Sequence, residues 1–204
     1  MTNRHVRDII RDESPDNHWG FLPVFNKVVL YLGCGLNSEF TPTPWYFLQD
    51  RKAKKVYGVD ADPNSYNWFK QNYNVQNFIP FMDYVDRLEK FEWYFENSKP
   101  EIVKMDVEGA EIHLHALDPK YLSTVTDIAI EYHSYAALIS CETLLEKLGM
   151  IISYYKFENI DLEFQGVIYG RLPKDPEEQK YDEMNKWKKI ELNKIKEDGK
   201  EETL

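Results

Sequence analysis

The chain has 204 residues, of which 43% are hydrophobic, and this is enough for one domain with a compact core but not for two full-sized domains. Its 35 acidic and 25 basic residues give a formal net charge of -10, which opposes attraction to a polyphosphate backbone and argues against a nucleic-acid partner. No apolar stretch approaches the roughly 20 residues of a bilayer crossing, and the first residues lack a signal-peptide pattern, so we expect a cytoplasmic protein without a membrane partner. With only two cysteines, Cys34 and Cys141, neither a disulfide framework nor a Cys-rich zinc site is expected.

Three segments are predicted along the chain: a lead-in at residues 1–26, an α/β domain at residues 27–173 and a charged helical tail at residues 174–204. Within the domain, short apolar runs alternate with longer amphipathic ones, which is the pattern of a doubly wound, mostly parallel sheet. The predicted strands cover residues 28–32, 55–59, 77–79, 101–105 and 127–132, and the predicted helices cover residues 44–50, 64–73, 84–95, 110–117 and 142–148.

The end of the domain and the tail have different patterns. Two β-rich runs, residues 150–157 and 164–172, are separated by a short polar link and predict a hairpin, which gives the sheet one antiparallel strand. The tail alternates Lys and Glu, and its few large apolar side chains recur at helical spacing. We interpret the tail as a charged helix that rests one stripe on the domain. The alternative is that the stripe binds a protein partner.

Candidate ligand-binding residues begin in the glycine-containing loop directly after the first predicted strand. Glycines there let backbone amides approach a ligand at the carboxyl end of the sheet, where the topology leaves a crevice. The second strand ends in Asp60, and an acid in that place can accept hydrogen bonds from both ribose hydroxyls of an adenosine. Capping of the next helix is assigned to Asp62 instead. The residues predicted to bind this ligand are Gly33, Cys34, Gly35, Asp60 and Ala61.

An acidic string follows the fourth predicted strand and begins with Asp106 and Glu108. Because the carboxyl ends of parallel strands meet at one edge of a sheet, we expect Asp106 at the same crevice as the glycine loop. The fifth strand brings Glu131 and His133 to the same rim. The carboxylates of Asp106, Glu108 and Glu131 are hard oxygen ligands of the kind that Mg²⁺ takes. Nothing in the sequence fixes a common geometry for them, however, so no residue is assigned as a metal ligand.

The most specific motif of the chain is the string Lys-Met-Asp-Val-Glu-Gly-Ala-Glu at residues 104–111. Together with Glu131-x-His133 after it and the run Val-Tyr-Gly-Val-Asp-Ala-Asp-Pro before it, this string resembles the FkbM-type family of S-adenosylmethionine-dependent methyltransferases. The resemblance covers roughly residues 27–171. It implies a class I methyltransferase fold, S-adenosylmethionine as cofactor, and a hydroxyl of a small molecule or carbohydrate as methyl acceptor.

The predicted site residues then take specific functions. Transfer of a methyl group from a sulfonium to a hydroxyl requires alignment of the reacting groups and a base for the proton. His133 is the predicted base because histidine titrates near neutral pH, with a packed histidine at a strand end as the structural alternative. Asp106 is predicted to orient the methionine amino group of the cofactor or the acceptor, and Glu131 to orient His133.

Two features depart from the family pattern. Tyr31 stands where the family usually has an acid, and a later glycine of the loop is replaced near Asn37. They favour, as an alternative, a catalytically inactive binding or assembly module with a methyltransferase-like fold. A nicotinamide-dependent oxidoreductase would share the crevice and Asp60, but the full glycine fingerprint of that class is absent and the acidic string would be unexplained.

Overall fold

The computed structural model describes residues 22–34, 43–72, 76–156 and 166–174. Residues 1–21 of the lead-in, the predicted ligand-binding residue Gly35, the hairpin link and nearly all of the charged tail lie outside the described residues. The described residues up to Arg171 belong to one compact unit, and Leu172 begins a second.

Strands and helices alternate along the first unit. The strands are β1 (Val28–Leu32), β2 (Lys55–Asp60), β3 (Phe78–Met82), β4 (Ile102–Met105), β5 (Asp127–Tyr132), β6 (Ile151–Lys156) and β7 (Gly166–Arg171). The α-helices are α1 (Thr43–Gln49), α2 (Pro63–Asn72), α3 (Leu88–Ser98) and α4 (Tyr135–Lys147), and two 3₁₀ helices span Ala110–Ala116 and Pro119–Leu122.

All the described strands form one sheet in the order β3-β2-β1-β4-β5-β7-β6. The pairs from β3 through β5 are parallel, whereas β7 is antiparallel to both β5 and β6. The strand order reverses between β1 and β4, and in open sheets of this kind a crevice forms at the carboxyl ends of the strands on either side of the reversal. The predicted fold class, a doubly wound and mostly parallel sheet that ends in an antiparallel hairpin, is confirmed.

Helices and loops bury both faces of the sheet. Helices α3 and α4 and both 3₁₀ helices cover one face, where Leu32 and Met105 are fully buried. On the other face, Phe47 of α1 packs with Leu22 and Val24, which are also fully buried. Residues 22–26, predicted as the end of the lead-in, therefore contribute core side chains to the domain. None of the helices in the described ranges has the length and apolar character that crossing a membrane demands.

Two predicted helix boundaries were wrong. Helix α4 begins at Tyr135, seven residues before the predicted start at Glu142, because the side chain of Ser134 caps it by accepting a hydrogen bond from the Ala137 N–H. Helix α3 begins at Leu88 and not at residue 84, after an N-cap residue in an extended conformation. Residues 83–86 are consequently a loop at the edge of the sheet, and this loop lines the candidate site.

Candidate functional site

A cavity of about 210 Å³ lies at the carboxyl ends of β1 to β4. Its lining comes from the residues that end or follow these strands: Gly33 after β1, Asp60 and Ala61 at the end of β2, Asp83, Tyr84 and Val85 after β3, and Asp106, Val107 and Glu108 after β4. The structure therefore brings together four of the predicted ligand-binding residues, from three different strands. We refer to the lining from β1, β2 and β3 as the β1–β3 side, and to the lining from β4 together with the end of β5 as the β4–β5 side.

The loop after β1 is held against the neighbouring strands by its backbone. Gly33 has a φ of +72°, and a Cβ atom there would lie 1.6 Å from the carbonyl oxygen of Asp106. The N–H groups of Gly33 and Cys34 both donate to the carbonyl oxygen of Val59, at 2.9 and 3.0 Å. The prediction that glycine-loop amides approach a ligand therefore fails for these two residues, because their amides bond to β2. The Gly33 position is required by the close approach of two loops.

Cys34 is a buried neighbour of Asp60 at the β1–β3 side. Its side chain is buried in the core, and its Sγ atom lies 3.9 Å from Oδ2 of Asp60. Burial, followed by the nearby Asp60 carboxylate, raises the pKa of the Cys34 thiol well above its ordinary value. Cys34 thus remains a neutral thiol that packs beneath the β1–β3 side.

Asp60 ends β2 at the wall of the cavity, where it is 8% exposed. Its Oδ1 atom accepts a hydrogen bond from the Asp62 N–H at 2.8 Å. Asp62 in turn accepts from the Asn64 N–H at 3.0 Å through its own Oδ1 atom, which confirms that Asp62 caps the start of α2. The Asp60 carboxylate is therefore fixed in orientation at the cavity wall.

The loop Asp83–Val85 is part of the site that the sequence analysis missed as ligand-binding. Asp83 accepts hydrogen bonds from Nζ of Lys90 at 2.7 Å and from the hydroxyl of Tyr94 at 3.0 Å. Burial acts to raise the pKa of Asp83, but these two hydrogen bonds outweigh it and the pKa is lowered. The sequence feature that could have located this loop is the apolar run of residues 78–82, which the loop follows. This run continues through Pro80 as a strand, because an edge strand tolerates proline.

Glu111 organises the acidic loop between β4 and the first 3₁₀ helix. Its side chain is fully buried, with Oε1 accepting from the Val107 N–H at 3.1 Å and Oε2 from the Gly109 N–H at 2.8 Å. Glu108 and Gly109 both have left-handed backbone conformations, with φ of +54° and +108°. The backbone of this loop is thus held by hydrogen bonds to one buried carboxylate. The sequence analysis named Glu111 only as a member of the motif at residues 104–111 and gave it no separate function.

His133 lies among three carboxylates on the β4–β5 side. Its Nδ1 atom is 3.3 Å from Oε1 of Glu111, and its Nε2 atom is 3.6 Å from both Oδ1 of Asp106 and Oε2 of Glu108. The residue placed to orient the ring is therefore Glu111, and not Glu131 as predicted.

The same neighbours control the charge of His133. The hydrogen bond to Glu111 raises the pKa of His133 to about 9, with further contributions from Glu108 and Asp106 that outweigh the effect of burial. The ring consequently carries a proton at neutral pH. This contradicts the reason for which His133 was predicted as the base, because the base was expected to titrate near neutral pH.

Lys104 balances the other oxygen of Asp106. Its buried Nζ atom lies 3.3 Å from Oδ2 of Asp106 and 4.2 Å from the ring centre of Tyr31. Burial acts to lower the pKa of Lys104, but Tyr31, Asp106 and Glu131 outweigh it and the pKa is raised. The Glu131 carboxylate therefore contributes to the raised pKa of Lys104. Lys104 pairs with Ala129 of β5, and Glu131 follows two residues later on the same face of the sheet. Tyr31, at the position where the family usually has an acid, forms part of the pocket that holds this cation.

One group of potential metal ligands occurs among the described residues. Asp106, Glu108 and His133 each place a ligand atom within 4.8 Å of the others. This group differs from the magnesium set considered from the sequence, because it contains His133 in place of Glu131.

Comparison with known proteins identifies the fold. No protein-family model and no curated protein matches the sequence, so the FkbM-type resemblance stays a prediction. Among solved structures, Aeropyrum pernix fibrillarin with bound S-adenosyl-L-methionine is 16% identical, with a TM-score of 0.51 over 73% of this chain and 68% of that one. The B. subtilis tRNA methyltransferase TrmK is 10% identical, with a TM-score of 0.53 over 85% of this chain and 67% of that one. Methanococcus jannaschii fibrillarin is 16% identical, with a TM-score of 0.53 over 74% of this chain and 69% of that one. The chain therefore has the class I methyltransferase fold.

Proposed function

We propose that the protein is an S-adenosylmethionine-dependent methyltransferase that methylates a hydroxyl oxygen of a small molecule or carbohydrate. The observation that carries this proposal is the cavity at the reversal of strand order, with a buried acid at the end of β2 on one side and Asp106 on the other. The shared fold with a fibrillarin that holds S-adenosyl-L-methionine supports the cofactor. The string at residues 104–111 supports the oxygen acceptor through its family resemblance.

The β1–β3 side fits the nucleoside part of the cofactor. When bound, S-adenosylmethionine supplies an electrophilic methyl group on a sulfonium. The Asp60 carboxylate is placed to accept hydrogen bonds from the ribose hydroxyls, and Ala61 beside it leaves room for the sugar. The side chains of Tyr84 and Val85 offer apolar surface for the adenine ring, and Asp83 offers a charged acceptor for its amino group.

The β4–β5 side fits the reacting end. The Oδ1 atom of Asp106 is buried and, in the ranges that the structure describes, has no hydrogen-bond partner, so it can accept a hydrogen bond from the methionine amino group of the cofactor or from the acceptor hydroxyl. Lys104 holds the other oxygen of this carboxylate and thereby stabilises its charge. His133, with its proton, acts in this proposal as a positioning residue that holds Asp106 and Glu108 together.

The charge of the site favours a neutral acceptor over a nucleic acid. TrmK is a tRNA methyltransferase and the M. jannaschii fibrillarin is a pre-rRNA processing protein, but the cavity in this chain is lined by Asp60, Asp83, Asp106 and Glu108. Together with a net charge of -10, these carboxylates oppose a phosphate backbone. We therefore propose an acceptor without phosphate groups. We also propose that the protein is cytoplasmic.

Two measurements test this function. Calorimetric titration with S-adenosylhomocysteine should show saturable binding, and its absence at millimolar ligand would reject the cofactor. Incubation with methyl-labelled S-adenosylmethionine should label a fraction of small hydroxylated metabolites or oligosaccharides and leave total RNA unlabelled. Labelling of RNA alone would reject the acceptor class while keeping the transferase.

A catalytically inactive binding module is the second candidate. The observation in its favour is that the Gly33 and Cys34 amides are bonded to Val59 and that Tyr31 replaces the acid expected beside them. Such a module would bind S-adenosylhomocysteine and transfer no label to any extract. A single methylated product would reject it.

A further inference from the structure

We propose that Asp106, Glu108 and His133 bind a divalent transition-metal ion of the Mn²⁺ or Zn²⁺ class at the β4–β5 side of the cavity. The three ligand atoms lie within 4.8 Å of one another. The Nε2 atom of His133 is 3.6 Å from each carboxylate oxygen, which is longer than the roughly 2.7 to 3.2 Å of a good hydrogen bond. Ligand atoms around a tetrahedral ion with bonds of about 2.1 Å are separated by about 3.4 Å. The separations of Nε2 from the two carboxylate oxygens are thus close to those in a coordination sphere.

An unsatisfied atom within this group supports the site. Oδ1 of Asp106 is buried and has no hydrogen-bond partner among the described residues, although most buried polar atoms in proteins have one. Lys104 takes only the other oxygen, Oδ2, at 3.3 Å. Within the part of the chain that the structure describes, the oxygen that faces His133 has only its ion pair with that histidine at 3.6 Å, so it is available to coordinate an ion.

The imidazole is held as a metal-binding histidine is held. Metal-bound histidines almost always donate the second ring N–H to a carboxylate or carbonyl, which fixes the ring and its tautomer. Here Nδ1 lies 3.3 Å from Glu111, whose own carboxylate is locked by the N–H groups of Val107 and Gly109. This arrangement leaves Nε2 directed at the two carboxylates.

The donor set selects the class of metal. Mg²⁺ prefers oxygen ligands and retained waters, whereas an imidazole nitrogen suits Zn²⁺ or Fe²⁺ and the two carboxylates also suit Mn²⁺. Binding displaces the proton from Nε2, because imidazole coordinates through that lone pair. Three protein ligands leave a position open, and an acceptor hydroxyl bound there would lose its proton more readily. This last use of the metal rests on the proposed function, whereas metal binding itself does not.

The test is titration of Mn²⁺ into the full chain after any bound metal has been removed with EDTA. Binding is measured as the decrease of the EPR signal of free Mn²⁺. We expect one bound ion per chain, and at least tenfold weaker binding in Glu108→Ala and in His133→Ala. The Glu108 side chain is 78% exposed, so its replacement leaves the fold intact even where the His133 variant does not fold. Glu89→Ala, an exposed acid in the first turn of α3, is the matched control and should bind Mn²⁺ as the wild type does.

Equal Mn²⁺ affinity in the wild type and Glu108→Ala would overturn the proposal, as would the absence of any bound ion at millimolar Mn²⁺. Titration with S-adenosylhomocysteine, run in parallel, separates this result from the function. If the protein binds S-adenosylhomocysteine but not Mn²⁺, the metal site is rejected and the proposed methyltransferase function stands. If it binds Mn²⁺ but not S-adenosylhomocysteine, the metal site stands and the proposed function is rejected.

Discussion

The two sides of the cavity differ in how their polar groups are satisfied. On the β1–β3 side, Asp60 and Asp83 each accept hydrogen bonds from neighbouring groups of the chain. On the β4–β5 side, His133 lies among three carboxylates, and one oxygen of Asp106 finds no hydrogen-bond partner in the described part of the chain. On the β1–β3 side, the carboxylates are already oriented by hydrogen bonds within the chain before a ligand binds. The β4–β5 side holds charge that a ligand or ion would balance, so substitutions on the two sides should have different consequences.

The largest expected effect comes from Gly33, where the two sides touch. Gly33→Ala would place a methyl group 1.6 Å from the Asp106 carbonyl oxygen in a left-handed conformation, so we expect a loss of more than about 4 kcal/mol in unfolding free energy, or no folding. Gly109→Ala is the control, because φ is also positive there but no atom of the described residues lies within 4 Å of the added carbon. Strain alone should cost it about 1 to 2 kcal/mol. Equal losses in urea unfolding of the two variants would show that the loops do not touch.

Glu111→Ala tests whether the β4–β5 side is built on one buried carboxylate. The change leaves the N–H groups of Val107 and Gly109 without their acceptor, so we expect a loss of about 2 to 4 kcal/mol in unfolding free energy. The exposed Glu89 serves as the matched position, where Ala should change stability by less than about 0.5 kcal/mol. If both variants unfold at the wild-type urea concentration, Glu111 does not organise the loop.

Asp60→Ala should change ligand affinity more than the fold. Removal of a charged hydrogen-bond acceptor should weaken S-adenosylhomocysteine by about 1 to 3 kcal/mol in calorimetric titration. Asp62→Ala removes a neighbouring acid that caps α2 and should lower stability by about 1 kcal/mol, with affinity for the ligand retained. The reverse pattern, in which only Asp62→Ala loses affinity, would move the ribose contact away from Asp60.

The last expected effect concerns pH, and it is specific to the β4–β5 side. In the metal-free protein the pKa of His133 is raised to about 9, above the value of about 6.5 in an unfolded chain. The protonated ring therefore stabilises the fold fully below about pH 6.5, and this contribution is lost as the pH rises through 9. The stability difference between the wild type and His133→Gln, measured in EDTA, should shrink between pH 6 and pH 9.5. A constant difference would mean that the ring does not titrate in this range.

Much of the fold could be predicted from the sequence, because apolar runs and alternation report directly on burial. The five parallel strands and the final hairpin all followed from that pattern, and so did the meeting of Asp60 and Asp106 at one crevice. The extent of β3 was missed because Pro80 interrupts the usual strand composition, and with it the loop at Asp83.

The contacts of the acidic string were beyond a single sequence. Whether Glu111 is buried, and whether His133 meets Glu111 or Glu131, depends on the left-handed turn at Glu108 and Gly109. That turn directs the chain back so that residue 111 points into the protein, whereas spacing along the strands places Glu131 nearest to His133. The N–H groups of Gly33 and Cys34 were misassigned for a similar reason, since a glycine loop looks the same in sequence whether its amides bond to a strand or to a ligand.

The position of β7 has a consequence for the timing of assembly. β7 follows β6 in the chain but lies between β5 and β6 in the sheet, so Ile128 and Ile130 on β5 gain their second neighbour only when Ile168 and Gly170 reach them. During synthesis, β5 therefore keeps an open, apolar edge until the end of the hairpin has left the ribosome. β1, β2 and β3, in contrast, pair with one another within residues 28–82 and can do so much earlier. A nascent chain stalled before residue 166 would therefore expose the apolar edge of β5 as an aggregation-prone strand.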